Sequence, residues 1–297
     1  MKAGRILLSV LIHTVKEDVR RRRKLYPPHG LYTEYLNIPF IDDGSHYHKY
    51  DVYLAKERHK KACIIDVHGG AYMFSTHSDN YYIGTKMLQR GFDFVSIDYL
   101  PNDGKRDTYD LVSDCVKCIN HLFDHLSDYD LQNDSFFIMG DSAGGHFALL
   151  LTELFNNKRL QKQLNLRLPD IKIKGVLVNS PVYDFAHVGD GKLMKPAMKR
   201  MFGKNYSIEK MEQLSPKTHI DSLIETPIFL STCKNDFLRN ESLKFKADLD
   251  ERKVSFKFID MYTNQANVVH VHNVIYPEMY ESKYVNHAMV DFMIALL

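Results

Sequence analysis

The run Gly140-Asp141-Ser142-Ala143-Gly144-Gly145 places a hydroxyl among small residues. Residues 135–139 before it read as a short buried strand, and residues 146–155 after it as a helix of good helix formers. A serine on a sharp strand-to-helix turn has its hydroxyl pushed outward, and the flanking glycines remove side chains that would clash. The helix that follows aims its first N–H groups at the place where negative charge would develop. Ser142 therefore reads as a nucleophile, with the N–H of Ala143 as one oxyanion donor. A serine hydroxyl is weak at neutral pH and needs a base, and the base needs an acid to fix its tautomer. Asp236 follows the apolar run 228–233, and His270 and His272 follow the run 254–259. Asp236 is the preferred acid, with Asp184 its rival, and His270 the preferred base, with His272 its rival. His68-Gly69-Gly70-Ala71 follows another strand-like run, and the N–H groups of Gly69 and Gly70 complete the expected oxyanion set. His68 reads as the residue that orients this loop.

These residues need strand ends that converge. Residues 36–41 and 50–54 form two β-type runs around the turn signal Asp43-Gly44, an antiparallel hairpin. After them strands at 61–67, 92–98, 173–179, 228–233 and 254–259 alternate with helices at 81–90, 107–126 and 241–252. That alternation predicts a mostly parallel sheet covered on both faces, with sites at the C-terminal strand ends. Residues 184–224 break the rhythm and read as an irregular helical insertion carrying Met194, Met198, Met201 and Met211. Residues 1–30 read as a helix stopped at Pro27-Pro28.

Composition narrows the function. A net charge of +2 over 297 residues argues against nucleic-acid binding, which rests on a basic excess. No apolar run reaches the roughly 20 residues of a membrane span. Four cysteines make no disulfide framework, so a reducing compartment, the cytoplasm, is expected. Cys115 and Cys118 fall inside a helix, which disfavours redox chemistry. His121 and His125 share a helix face but lack a third ligand, so no metal is expected. His46 and His48 alternate on a strand and are expected to face solvent. A homo-oligomer is compatible with the sequence.

Taken together, His68-Gly69-Gly70-Ala71-Tyr72, Asp98-Tyr99-Leu100-Pro101, Gly140-Asp141-Ser142-Ala143-Gly144-Gly145, Asp236 and His270 resemble an α/β-hydrolase of the hormone-sensitive-lipase-like esterases. The resemblance implies one domain over 1–297, with an eight-stranded, mostly parallel sheet and a small helical cap from about 1–30 and 184–224. It also implies a cofactor-free carboxylesterase for small, short-chain acyl esters, using Ser142, Asp236 and His270. Three departures stand out. Ala71 replaces a third glycine, an arginine common after Tyr99 is missing, and His272 occupies an aromatic slot. The same machinery could cleave amides, and the fold also serves non-catalytic binding proteins.

Overall fold

Strands buried on both faces make the centre of the molecule. Every residue of β3 (Ala62–Val67), β4 (Asp93–Ile97), β5 (Ser135–Asp141) and β7 (Ile228–Cys233) is buried. With β1 (Thr33–Pro39), β2 (Lys49–Leu54), β6 (Ile173–Asn179) and β8 (Phe256–Met261) they form one eight-stranded sheet in the order β1-β2-β4-β3-β5-β6-β7-β8. The first hairpin pairs antiparallel, and β2 also runs antiparallel to β4. All remaining neighbours are parallel. The computed structural model describes residues 13, 17, 19–20, 23–58, 62–103, 105–131, 134–188 and 207–297.

Side chains alternate across a strand, so the sheet divides the core in two. Cys63, Ile65 and Val67 pack on one face with Leu111 and Ile119 of α2 (Thr108–Asp124), Phe147 and Leu151 of α3 (Ala143–Asn156) and Phe245 of α7 (Arg239–Arg252). Ile64, Phe94 and Phe229 pack on the other with Ile83 and Met87 of α1 (Tyr81–Leu88) and Val285, Met289 and Met293 of α9 (Tyr280–Ile294). Asp107 caps α2 by accepting the Asp110 N–H. Among the described residues the shorter α-helices are α4 (Lys158–Gln163), α5 (Ile208–Gln213), α6 (Pro216–His219) and α8 (His272–Ile275).

The expected hairpin and parallel sheet are both present. Helix α3 begins three residues before the predicted start, directly after Ser142. His48 differs from its expected place. It is buried just ahead of β2, with its Nδ1 2.7 Å from Asp43 Oδ2. The two expected cap stretches fall partly outside the described residues, at 1–12, 14–16, 18, 21–22 and 189–206. Of the described parts, Arg23 donates to Asp79 at 2.7 Å, and α5 and α6 follow residue 206.

Candidate active site

The turn between β5 and α3 is a close-packed elbow. Ser142 sits at φ 55° and ψ −117°, a left-handed φ that is strained for any residue with a Cβ. Its N–H donates to the Asn179 carbonyl at 2.9 Å, and its carbonyl accepts from the N–H groups of His146 and Val182. A Cβ on Gly144 would lie 2.0 Å from the Val67 carbonyl oxygen, and one on Gly140 2.3 Å from the Gly144 oxygen. The two glycines let helix α3 start against β3, and that contact sets where Ser142 stands.

Asp236 and His270 come together from the ends of β7 and β8. His270 Nδ1 lies 2.7 Å from Asp236 Oδ1. Asp236 is buried, and its other oxygen accepts from Thr232 Oγ1 at 2.9 Å. Burial pushes its carboxyl pKa up, but the hydrogen bond and charge of His270, with help from Ser180 and the Leu238 N–H, outweigh it and hold the pKa below the ordinary 3.8. The rival acid Asp184 is engaged elsewhere, with Lys217 Nζ and His187 Nδ1 each at 2.8 Å. The rival base His272 is buried on α8 with its Nδ1 3.1 Å from Ser282 Oγ, and burial lowers its pKa to about 4.

The loop after β3 gives the N–H of Gly69, one of the expected oxyanion donors, a partner within the fold. The Gly69 N–H donates to Asp141 Oδ1 at 3.0 Å, so it faces a carboxylate rather than an empty site. A Cβ on Gly69 would lie 2.4 Å from the same side chain. The next peptide is held from its carbonyl end. The Gly69 oxygen accepts from His68 Nδ1 at 2.7 Å and from the Tyr99 hydroxyl at 3.4 Å. A trans peptide points its N–H opposite to its carbonyl, so these bonds turn the Gly70 N–H away from His68 and Tyr99. Among the described residues, no acceptor takes the N–H of Gly70 or of Ala143. Gly70, at φ 119°, could not bear a side chain, because a Cβ would lie 2.0 Å from the Phe74 oxygen.

Below this loop runs a buried polar chain that joins His68, Asp98 and Asp141, each in a motif of the sequence, to Asp51, Asp66, His77 and Asn80, which no motif marks. His68 Nε2 lies 2.9 Å from Asp98 Oδ1, and His77 Nδ1 lies 2.9 Å from Asp98 Oδ2. His77 Nε2 faces Asp51 at 3.4 Å. Both nitrogens of each ring face acceptors, an arrangement that favours the imidazolium form. Burial opposes that charge. The carboxylates win, raising His68 and bringing His77 to about 9. Beside them Asn80 Nδ2 bridges Asp66, at 3.0 Å, and Asp141, at 2.9 Å. Asp66 is pushed up to about 8, first by burial and then by the Asp141 charge, so it holds a proton at neutral pH. The spacing of these residues, from Asp51 to Asp141, carries no local motif. They meet only because β2, β3, β4 and β5 are neighbours.

A cavity of about 210 Å³, lined by Tyr109, Leu164, Phe185, Met211 and Leu214 among others, is not lined by Ser142, Asp236 or His270. It shares a wall with the elbow: His146 Nε2 donates to the Leu214 carbonyl at 2.7 Å, and its Nδ1 accepts from the Tyr72 hydroxyl at 2.9 Å. No cluster of metal-ligating side chains and no helix long and apolar enough to cross a membrane occurs among the described residues.

Comparison with known proteins fits this architecture. The family model BD-FAE matches residues 50–248. A probable isoprenylcysteine alpha-carbonyl methylesterase of Arabidopsis thaliana is 25% identical over 118 residues, which is 39% of this chain and 25% of that protein. The matched stretch thus spans about a quarter of that relative's length. Esterase B of Lactobacillus rhamnosis superposes with a TM-score of 0.86 at 18% identity, covering 99% of this chain and 95% of its own. The same esterase, solved inhibited by a C4-C4 tributyrin phosphonate, superposes equally well, with 17% identity and 100% and 96% coverage. A hyperthermophilic esterase of Pyrobaculum calidifontis gives 0.70 at 17% identity, with 98% and 97% coverage. At these identities the solved structures establish a shared fold.

Proposed function

The chain belongs to the BD-FAE family and has the α/β-hydrolase fold, and from that premise we propose that it is a serine carboxylic-ester hydrolase for short-chain acyl esters. The observation that carries the reading is the 2.7 Å bond from His270 to the buried Asp236, at the same sheet edge as a strained Ser142. Asp236 fixes the proton of His270 on Nδ1, which leaves Nε2 as the basic nitrogen. Ser142 Oγ attacks the ester carbonyl and gives its proton to Nε2. The N–H groups of Gly70 and Ala143, two of the three expected donors, hold the oxyanion. His270 then protonates the departing alcohol, and a water activated by the same nitrogen frees the acyl group from Ser142.

The short-chain preference draws on esterase B, which accepts a tributyrin phosphonate. Hydrolysis of p-nitrophenyl esters from acetyl to decanoyl, wild type beside Ser142→Ala, tests both parts. Activity should peak at short chains and fall about 10⁶-fold in the variant. Undiminished activity in Ser142→Ala refutes the assignment.

A further inference from the structure

Phe237 follows Asp236 directly and is 75% exposed, yet its ring centroid lies 4.2 Å from that of the His270 imidazole, tilted by 42°. It is not a loose side chain. The Asp236 N–H donates to the Cys233 carbonyl, the Arg239 N–H donates to the Asp236 carbonyl, and the Leu238 N–H donates to Asp236 Oδ1 at 2.8 Å. This tight turn sends Leu238 into the core and Phe237 outward. One side of the ring therefore covers the imidazole, while most of its surface remains open to solvent.

The chemistry of the site says what would approach that surface. His270 Nδ1 is bound to Asp236, so the leaving alcohol must take its proton from Nε2, within about 2.6–3.2 Å. The leaving group is thereby held beside the imidazole against which the Phe237 ring packs. An apolar ring at that place gains offset-stacked or edge-to-face contact with Phe237, whereas a flexible linear alcohol gains less and loses more rotamer freedom.

We propose that Phe237 is a specificity-determining residue, a platform that favours esters whose alcohol carries an aromatic ring one carbon from the ester oxygen. The inference rests on the esterase reading above. Its test compares benzyl acetate with propyl acetate, which share the acyl group and have unactivated primary-alcohol leaving groups. The readout is the ratio of their kcat/KM values in wild type, Phe237→Ala and Phe237→Tyr. The wild type should prefer benzyl acetate, the ratio should fall about three- to tenfold in Phe237→Ala, and Phe237→Tyr should keep it. A ratio unchanged in Phe237→Ala overturns the proposal. So does an equal loss on both esters, because that assigns Phe237 to holding His270. Absence of Ser142-dependent hydrolysis of both esters by the wild type overturns the esterase reading, and this inference with it.

Discussion

Asp66 makes the stability of the fold depend on pH in a direction opposite to that of a salt-bridged carboxylate. Its carboxyl is wholly buried in β3, hydrogen-bonded by Asn80 and Ser96. Burial and the Asp141 charge lift its pKa from the ordinary 3.8 to about 8 in the folded protein, against the lowering pull of Asn80, His68 and Ser96. Between about pH 4 and 8 the native state holds this proton and the unfolded chain has released it. The native state therefore binds more protons, and stability falls as pH rises through that window and levels off above it. One proton gives a slope of about 1.4 kcal/mol per pH unit. His77, raised to about 9, acts in the same direction only above its ordinary 6.5, whereas His272 and His146, lowered to about 4, act in the opposite direction below 6.5, so between about pH 5 and 6.5 the Asp66 part is read as the difference from a variant that cannot ionise there. Over that interval the Asp66 contribution is on the order of 2 kcal/mol. Asp66→Asn keeps an acceptor for Asn80 and cannot ionise. Urea unfolding at both pH values should show the wild type losing on the order of 2 kcal/mol more than the variant. Equal losses would refute the claim that Asp66 is protonated in the fold.

Two further outcomes separate the site's parts. His270→Asn should abolish ester hydrolysis, by up to about 10⁶-fold in kcat. His272→Asn should retain activity within about an order of magnitude and instead lower the thermal midpoint, since the ring is buried against Ser282. A kinetic comparison of the two purified variants decides the point. Gly144→Ala should cost several kcal/mol of stability, roughly the scale of core overpacking, because its Cβ meets the Val67 and His68 carbonyl oxygens at 2.0 and 2.5 Å. Chemical denaturation measures that loss, and a midpoint within about 0.5 kcal/mol of wild type would contradict the close packing of the elbow.

The parts read correctly from sequence were those set by local pattern. The strands at 173–179 and 228–233 were bounded by turn residues and filled with apolar ones, and they match β6 and β7. The positions of Ser142, Asp236 and His270 after strands followed from the same runs. The partner of the Gly69 N–H is not legible in the sequence, because Asp141 lies 72 residues away and reaches it only when Val67 pairs with Gly140 across β3 and β5. Helix α9 escaped notice because its core contacts form a narrow row, Val285, Met289 and Met293, among polar neighbours. His48 looked like a surface residue because nothing local signals the burial it gains beside Asp43 and Asp114. Phe237, one ordinary apolar residue after an aspartate, gains meaning only from the ring it covers.

Among the described residues strand β8 ends the sheet, with β7 as its one strand neighbour, and its side chains are mostly only part-buried. The segment after it carries His270, while Ser142 directly follows β5, a central strand in which every residue is buried. The two halves of the chemistry therefore rest on regions of unequal local stability. Fraying of one margin would separate base from nucleophile while the central strands and both hydrophobic layers stayed intact. Loss of turnover and loss of fold are then distinct events, and catalysis reports on the integrity of a single border of the molecule.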